Sequence, residues 1–333
     1  MGIKSLTQTI KKFSPDSITN ENLYKLNGKK VAVDASLIIY QQLLNHKNGF
    51  FKNSNGKITN HITGLFYKIM NYISLNIELI FIFDGIPPTN KKECIKQRKI
   101  KSQKAKEMSE KTSSNEEKIK LEKQACRLTK EMIDDVKNLL NLMGISYIHP
   151  EKAEGEAYAA ELCRMGYVDY VLTEDMDTLV YCCPKLIRKC IDRSIKRNDI
   201  ISIFDYESII SNLNLTSDQF IDFCILCGCD YAPEVPKIGN ITALKLIQKH
   251  KSMEEIISNT DYNFPENYLE LYINAKKNFL LFKDNIKIDE IKINTSDKNI
   301  DELKNYLIND IEMNETKVKN AIKKFNNKYS SEN

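Results

Sequence analysis

No apolar run in this chain of 333 residues approaches the length a bilayer crossing needs. The longest, such as 79–83, are strand-sized, and no signal peptide precedes Asp34, so a soluble, intracellular protein is expected. The start, Met-Gly-Ile-Lys-Ser-Leu, places Leu6 where a myristoylation signal needs Ser or Thr. Paired cysteine spacings are missing too. Nine cysteines, an odd number without a repeated interval, fit reduced thiols rather than a disulfide framework. Cys224, Cys227 and Cys229 look like half of a zinc knuckle, but no second Cys/His pair stands at suitable spacing, and buried packing is the better reading. Histidine is scarce, four in all, and none lies in the acidic motifs below. No internal repeat is evident.

Charge is present but unevenly spread. The formal net charge is +4, yet residues 91–130 carry 14 Lys/Arg and 6 Asp/Glu, leaving that stretch at +8 and the rest at −4. The density peaks at 91–106, with eight basic residues and one Glu. Alone, such a run is ordinarily a solvated helix or a tether. Beside an acidic site it suits a polyanion that the first holds and the second cuts. Residues 101–118 are polar with few apolar anchors and are expected to be mobile without a partner.

Strand-type runs at 31–35, 79–84, 170–174, 186–191 and 200–205 alternate with helical patterns at 62–74, 117–143, 154–165 and after 206. This alternation predicts an α/β fold with a mainly parallel, twisted sheet flanked by helices. Catalytic groups in such sheets sit at the carboxyl ends of strands, where Asp34, Asp84 and Asp175 stand. From 216 onward the chain reads as helical. Thr216 or Ser217 caps one helix, Ser-Met-Glu-Glu at 252–255 opens another, and the last is expected to fray after Phe325.

The stretch YVLTEDMDT at 170–178 runs an apolar strand straight into Glu174, Asp175 and Asp177. Ionised acids there face both repulsion and desolvation. Helix capping would explain one such cluster. However, Glu154 and Glu156 also open a small-residue helix, and Asp230 ends another, where its charge opposes the dipole. With Asp34 and Asp84 the candidate set reaches seven carboxylates. One like-charged pair 4 Å apart costs about 4 kcal/mol at an effective dielectric of 20. Divalent cations remove the difficulty, and an all-oxygen set without His favours Mg²⁺, with Mn²⁺ as substitute, over zinc. Two such ions about 3.5–4 Å apart can activate a water and stabilise the leaving oxygen of a phosphodiester.

In order along the chain, MGI at the start, VAVDASLIIYQ, FIFDGIPP, AEGEAYAA, TEDMD, GCDY and IQKHKSMEEI resemble the flap endonuclease family of structure-specific 5′ nucleases, over about residues 1–325. The resemblance implies a PIN-like nuclease fold in one compact domain. Nuclease regions at 1–106 and 120–260 would frame a helical arch at 85–135. A helix-turn-helix element at 215–250 would hold duplex, and a helical extension would follow at 261–333. It also implies Mg²⁺-dependent cutting of DNA at 5′ flaps, 5′–3′ exonuclease activity, a role in replication and repair, branched DNA as partner, and a monomer. The compartment would be the nucleus of a cell, or a cytoplasmic replication site for a virus.

By the same resemblance Asp34, Asp84, Glu154 and Glu156 serve the first metal, and Asp175, Asp177 and Asp230 the second. Lys91 and Arg98 correspond to the basic pair at the base of the arch that contacts the scissile phosphate, and Tyr40 to an aromatic that stacks on a base. Gly2, Lys47, Lys101, Gly228, Lys237 and Gly239 complete the DNA-contacting set, together with Glu154 and Asp230. The chain also departs from the family. Lys237 replaces the first Gly of a Gly-Ile-Gly hairpin, Ile241 and Thr242 replace basic residues, and 50–59 lacks the acids of a 3′-flap pocket. Monovalent-ion binding and 3′-flap recognition are therefore left open. So are a sister exonuclease, a junction-cutting activity, and an inactive DNA-binding protein on this fold, although the last predicts lost acids and all seven are present. No Gln-x-x-[Leu/Ile]-x-x-Phe-Phe motif follows the last helix, and the expectation is an enzyme that works without a sliding clamp or reaches one by another surface.

Overall fold

Runs of β-branched and aromatic residues become strands at each position the sequence predicted. The computed structural model describes residues 3–47, 49–88, 91–281, 283 and 290–329. Its strands are β1 (Ile18–Asn22), β2 (Lys30–Asp34), β3 (Glu78–Ile82), β4 (Ser146–Ile148), β5 (Tyr170–Leu172), β6 (Lys185–Lys189), β7 (Ile200–Asp205) and β8 (Ile293–Asn294). The chain packs into two compact units interleaved in sequence. One comprises residues 1–25, 84–94 and 150–291, the other 26–83, 95–149 and 292–333.

In the first unit the strands run in the order β1-β7-β6-β5. β5 and β6 are parallel, while β7 pairs antiparallel with both β6 and β1. Phe204, Tyr206, Phe220, Phe223 and Tyr268 are fully buried here, each contributing about 2–3 kcal/mol of hydrophobic stabilisation. Thr216 caps the helix Ser217–Leu226 through a capping box with Gln219, as the sequence suggested. Ser252 accepts from the Glu255 amide and opens the helix Met253–Ser258.

In the second unit the order is β2-β3-β4-β8, parallel from β2 to β4, with β8 antiparallel at the edge. The parallel reading thus holds for the strands the sequence singled out, except β7, and antiparallel strands flank them. The run 117–143 is two helices, Asn115–Ala125 and Lys130–Met143, because Thr129 accepts from the Met132 amide and starts the second. The stretch 101–118 is largely helical, with Lys92–Lys111 one continuous helix and Ser114 capping the next. β8 interrupts the run of helices expected after 216, and the last helix continues to Tyr329, past the fraying point expected at Phe325. Among the described residues no helix is long and apolar enough to cross a membrane.

Candidate functional site

The first unit gathers six of the seven predicted carboxylates, and local backbone geometry places each. Asp84 stands two residues past the end of β3, in a loop pinned to residues 151–153, where the Gly85 amide donates to the Ala153 carbonyl (2.8 Å) and the Ile86 amide to the Glu151 carbonyl (3.0 Å). Only glycine allows this approach, since a Cβ at Gly85 would lie 2.3 Å from the Pro150 carbonyl oxygen. Asp84 consequently reaches the start of the helix Gly155–Arg164, and its Oδ1 accepts from the Gly155 amide at 2.8 Å. Gly155, Ala157, Ala159 and Ala160 are buried, and their small side chains let that helix sit close to its neighbours. Glu154 is the residue before its first turn and Glu156 lies within it.

β5 delivers Asp175 and Asp177, and the Asp177 amide donates to Asp175 Oδ1 at 3.1 Å. Ligand atoms of Glu156, Asp175 and Asp177 all lie within 4.8 Å of one another, a hard-oxygen cluster of the kind that takes Mg²⁺ or Mn²⁺. Asp177 also anchors the start of the chain, because its Oδ1 accepts from the Ile3 amide at 2.7 Å. Burial, and then the charges of Asp175 and Asp230, hold its carboxyl well above the usual range. A divalent cation among these oxygens would reverse that effect, so the residues fit the ion. Glu174, the third acid of the opening stretch, is occupied otherwise. It accepts from the Lys189 amide (2.8 Å) and from Arg188 Nε (3.4 Å), tying the end of β5 to β6.

Asp230 follows the helix Ser217–Leu226, where Gly228 (φ 93°) turns the chain; a Cβ there would meet Glu234 Cγ at 2.5 Å. Cys94 Sγ donates to Asp230 Oδ1 at 3.3 Å. Lys91 brings the counter-charge, its Nζ standing 2.5 Å from Glu154 Oε1 and 3.4 Å from Asp230 Oδ2. Burial disfavours the ammonium, yet the charges of Glu154, Glu156 and Asp230 outweigh it and raise Lys91 above its ordinary value. On its other oxygen, Oε2, Glu154 accepts from Tyr181 (3.0 Å) and Tyr231, whose hydroxyls lie 3.1 Å apart. Burial pushes both phenols up, helped by Tyr231 and the charges of Glu154 and Glu156 at Tyr181 and by Glu154 and Glu156 at Tyr231, so they remain donors across the working pH range. The sequence reading did not single out these two tyrosines. Tyr231 adjoins Asp230 within GCDY, which was the signal available for it, whereas Tyr181 had none.

The other predicted residues lie on the following elements. Asp34 ends β2 in the second unit, and its Oδ1 caps the helix Ala35–Leu44 by accepting from the Leu37 amide at 3.0 Å. Tyr40 is half-buried on that helix, its hydroxyl 3.5 Å from the Cys126 carbonyl. Lys47 and Lys101 are exposed, and Arg98 is partly exposed on the helix Lys92–Lys111. Lys237 adopts φ 70° before Gly239, which precedes the helix Asn240–His250. Gly2 lies outside the described residues. Cys224 is buried, and burial pushes its thiol up, as it pushes Cys227 and Cys229 up to about 12.

Residues 1–105 match the XPG N-terminal domain and residues 144–230 the XPG I-region. Flap endonuclease 1 of Glycine max is 36% identical over 97% of this chain and 86% of its own length. Flap endonuclease 1 of Scheffersomyces stipitis is 34% identical over 97% of this chain and 87% of its own length. Among solved structures, flap endonuclease-1 from Methanococcus jannaschii superposes with a TM-score of 0.72 at 25% identity, covering 100% of both chains. The catalytic core of Rad2 in complex with DNA substrate shares the fold, with a TM-score of 0.69 at 22% identity over 96% of this chain and 98% of the other. Full-length relatives above 30% identity, two matched domains and the acidic cluster lead to one assignment: the chain belongs to the flap endonuclease family.

Proposed function

We propose that this protein is a structure-specific flap endonuclease that hydrolyses DNA phosphodiesters at junctions between single strand and duplex, using divalent magnesium. The observation that carries the metal reading is the cluster of Glu156, Asp175 and Asp177 with Lys91 bridging Glu154 and Asp230 beside it. A buried excess of carboxylates around one ammonium is poised for cations, and it repels a phosphate until they arrive. When bound, magnesium supplies charge for both the attacking water and the leaving oxygen.

The protein's own groups do the rest. Asp84, Glu154, Glu156, Asp175, Asp177 and Asp230 would hold the ions. Lys91 would turn its ammonium from Glu154 and Asp230 to the scissile phosphate and hold it there. The basic run 91–106 draws in the backbone of the single strand. Labelled 5′-flap, nicked, bubble and four-way substrates, each incubated with Mg²⁺ and with EDTA, test this directly. Cutting confined to the 5′ flap near its junction, and abolished by EDTA, is expected. Preferential cutting of four-way junctions, or cutting in EDTA, would refute the reading.

A further inference from the structure

Tyr181 and Tyr231 both reach one oxygen of Glu154, and neither has a place in phosphodiester chemistry. Two hydroxyls carry two protons for three short contacts, so one side of the triangle Tyr181–Tyr231–Glu154 is always without a proton. A carboxylate is a stronger acceptor than a phenol, so both protons point at Oε2. The rings cannot turn away. Phe279, 3% exposed on the helix Tyr268–Leu280, packs edge-on against each of them with centroids 5.2 Å apart. Oε2 is thereby committed to the protein, while Oε1 faces the Lys91 ammonium at 2.5 Å.

We propose that Tyr181 and Tyr231, wedged by Phe279, are positioning residues that clamp Glu154 so that Oε1 alone is offered to a divalent cation once Lys91 withdraws. The inference rests on the metal-dependent nuclease reading above. Lys91 orients Glu154 only while it is bound to it. When the ammonium leaves for the phosphate, an unclamped carboxylate on a two-carbon stem would lose its orientation just when an ion needs it. The clamp keeps the ligand set in place through that exchange.

The test removes the hydroxyls and keeps the rings, using Tyr181→Phe, Tyr231→Phe and the double variant in the full chain. Mn²⁺ is titrated calorimetrically without DNA, and the Mg²⁺ dependence of flap cleavage is measured in parallel. Loss of outer hydrogen bonds to a metal ligand typically weakens affinity about 10–100-fold. The double variant is expected to bind Mn²⁺ at least about tenfold more weakly and to raise the half-saturating Mg²⁺ by a similar factor, with wild-type maximal rate recovered at saturating metal. The single variants should fall between, and melting temperatures identify any loss that comes from unfolding. Wild-type Mn²⁺ affinity in a folded double variant would overturn the clamp, as would a lower maximal rate at unchanged half-saturation. A wild-type protein that binds no Mn²⁺ would overturn both the clamp and the metal-dependent reading.

Discussion

Replacing Asp177 by Asn should stabilise the metal-free protein while abolishing cleavage. Asp177 is 7% exposed, and its ligand atom lies within 4.8 Å of those of Glu156 and Asp175. At that separation each pair of unit charges repels by about 3.5 kcal/mol at an effective dielectric of 20. Binding a proton instead caps the penalty. Between the unfolded carboxylate value of about 3.9 and pH 7, that proton costs at most about 4 kcal/mol, at roughly 1.4 kcal/mol per pH unit. Asn keeps an oxygen for the Ile3 amide, so little is lost, and the gain in EDTA should be about 2–4 kcal/mol.

The pH dependence follows from the sign of the shift. Because the folded carboxyl is raised, the folded chain holds this proton more tightly than the unfolded chain. Wild-type stability from this group is complete below about pH 4 and is lost as pH rises through the raised value. The advantage of Asp177→Asn should thus be near zero at pH 4 and grow towards neutrality. With 333 residues unfolding together, the entropy change is about 0.7 kcal/mol/K, so 2–4 kcal/mol corresponds to about 3–6 °C. Scanning calorimetry in EDTA from pH 4 to 8, repeated with Mg²⁺, measures this. Mg²⁺ should raise the melting temperature of wild type far more than that of the variant. A variant that melts at or below wild type in EDTA at neutral pH, or responds equally to Mg²⁺, would refute the reasoning.

Lys91→Ala and Arg98→Ala should each lower single-turnover cleavage more than equilibrium DNA binding, since many other contacts share the binding energy; equal losses in both would assign them a general electrostatic role. Lys237→Gly should raise the urea midpoint by about 1 kcal/mol of stability, because an exposed lysine at φ 70° bears left-handed strain that glycine does not. Lys276→Met should cost about 3 kcal/mol in the same assay, because Asp222, 3% exposed and 2.7 Å from Lys276 Nζ, would lose its counter-charge; adding Asp222→Leu should recover most of that loss.

How much was legible in the sequence depended on whether a residue's role is local. Strands β2, β3, β6 and β7 carry runs of buried apolar side chains, and such runs are visible without partners, whereas β5 buries only Val171 and was marked by its β-type residues and the acids that follow them. β1, ITNEN, is polar at an edge, and β4 and β8 are three and two residues long, so neither periodicity nor apolar length marks them. The helix Lys92–Lys111 lacks an apolar stripe, which is why its second half read as low-complexity polar sequence. The acids were readable because charge beside an apolar strand is locally costly. Tyr181 and Tyr231 were not, because a buried tyrosine in sequence looks like core packing, and only the fold reveals where its hydroxyl ends. The same holds for the Ile3 amide, which bonds a residue 174 positions away.

The interleaving of the two units has a consequence for how the protein is made. The chain passes from one unit to the other after residues 25, 83, 94, 149 and 291. Neither unit is therefore a continuous stretch that a ribosome could release to fold on its own. The first lacks its last helices until residue 291 has emerged, and the second lacks β8 until after that. Asp84 and Lys91 belong to the short excursion 84–94, which leaves the second unit and returns to it. Their carboxylate and ammonium cannot meet Glu154 or Asp230 until a long loop has closed, a non-local step with a larger entropic cost than any hairpin. The acidic cluster around Lys91 consequently cannot be complete until Asp230 has emerged, and a chain stalled before that point carries the basic run without it.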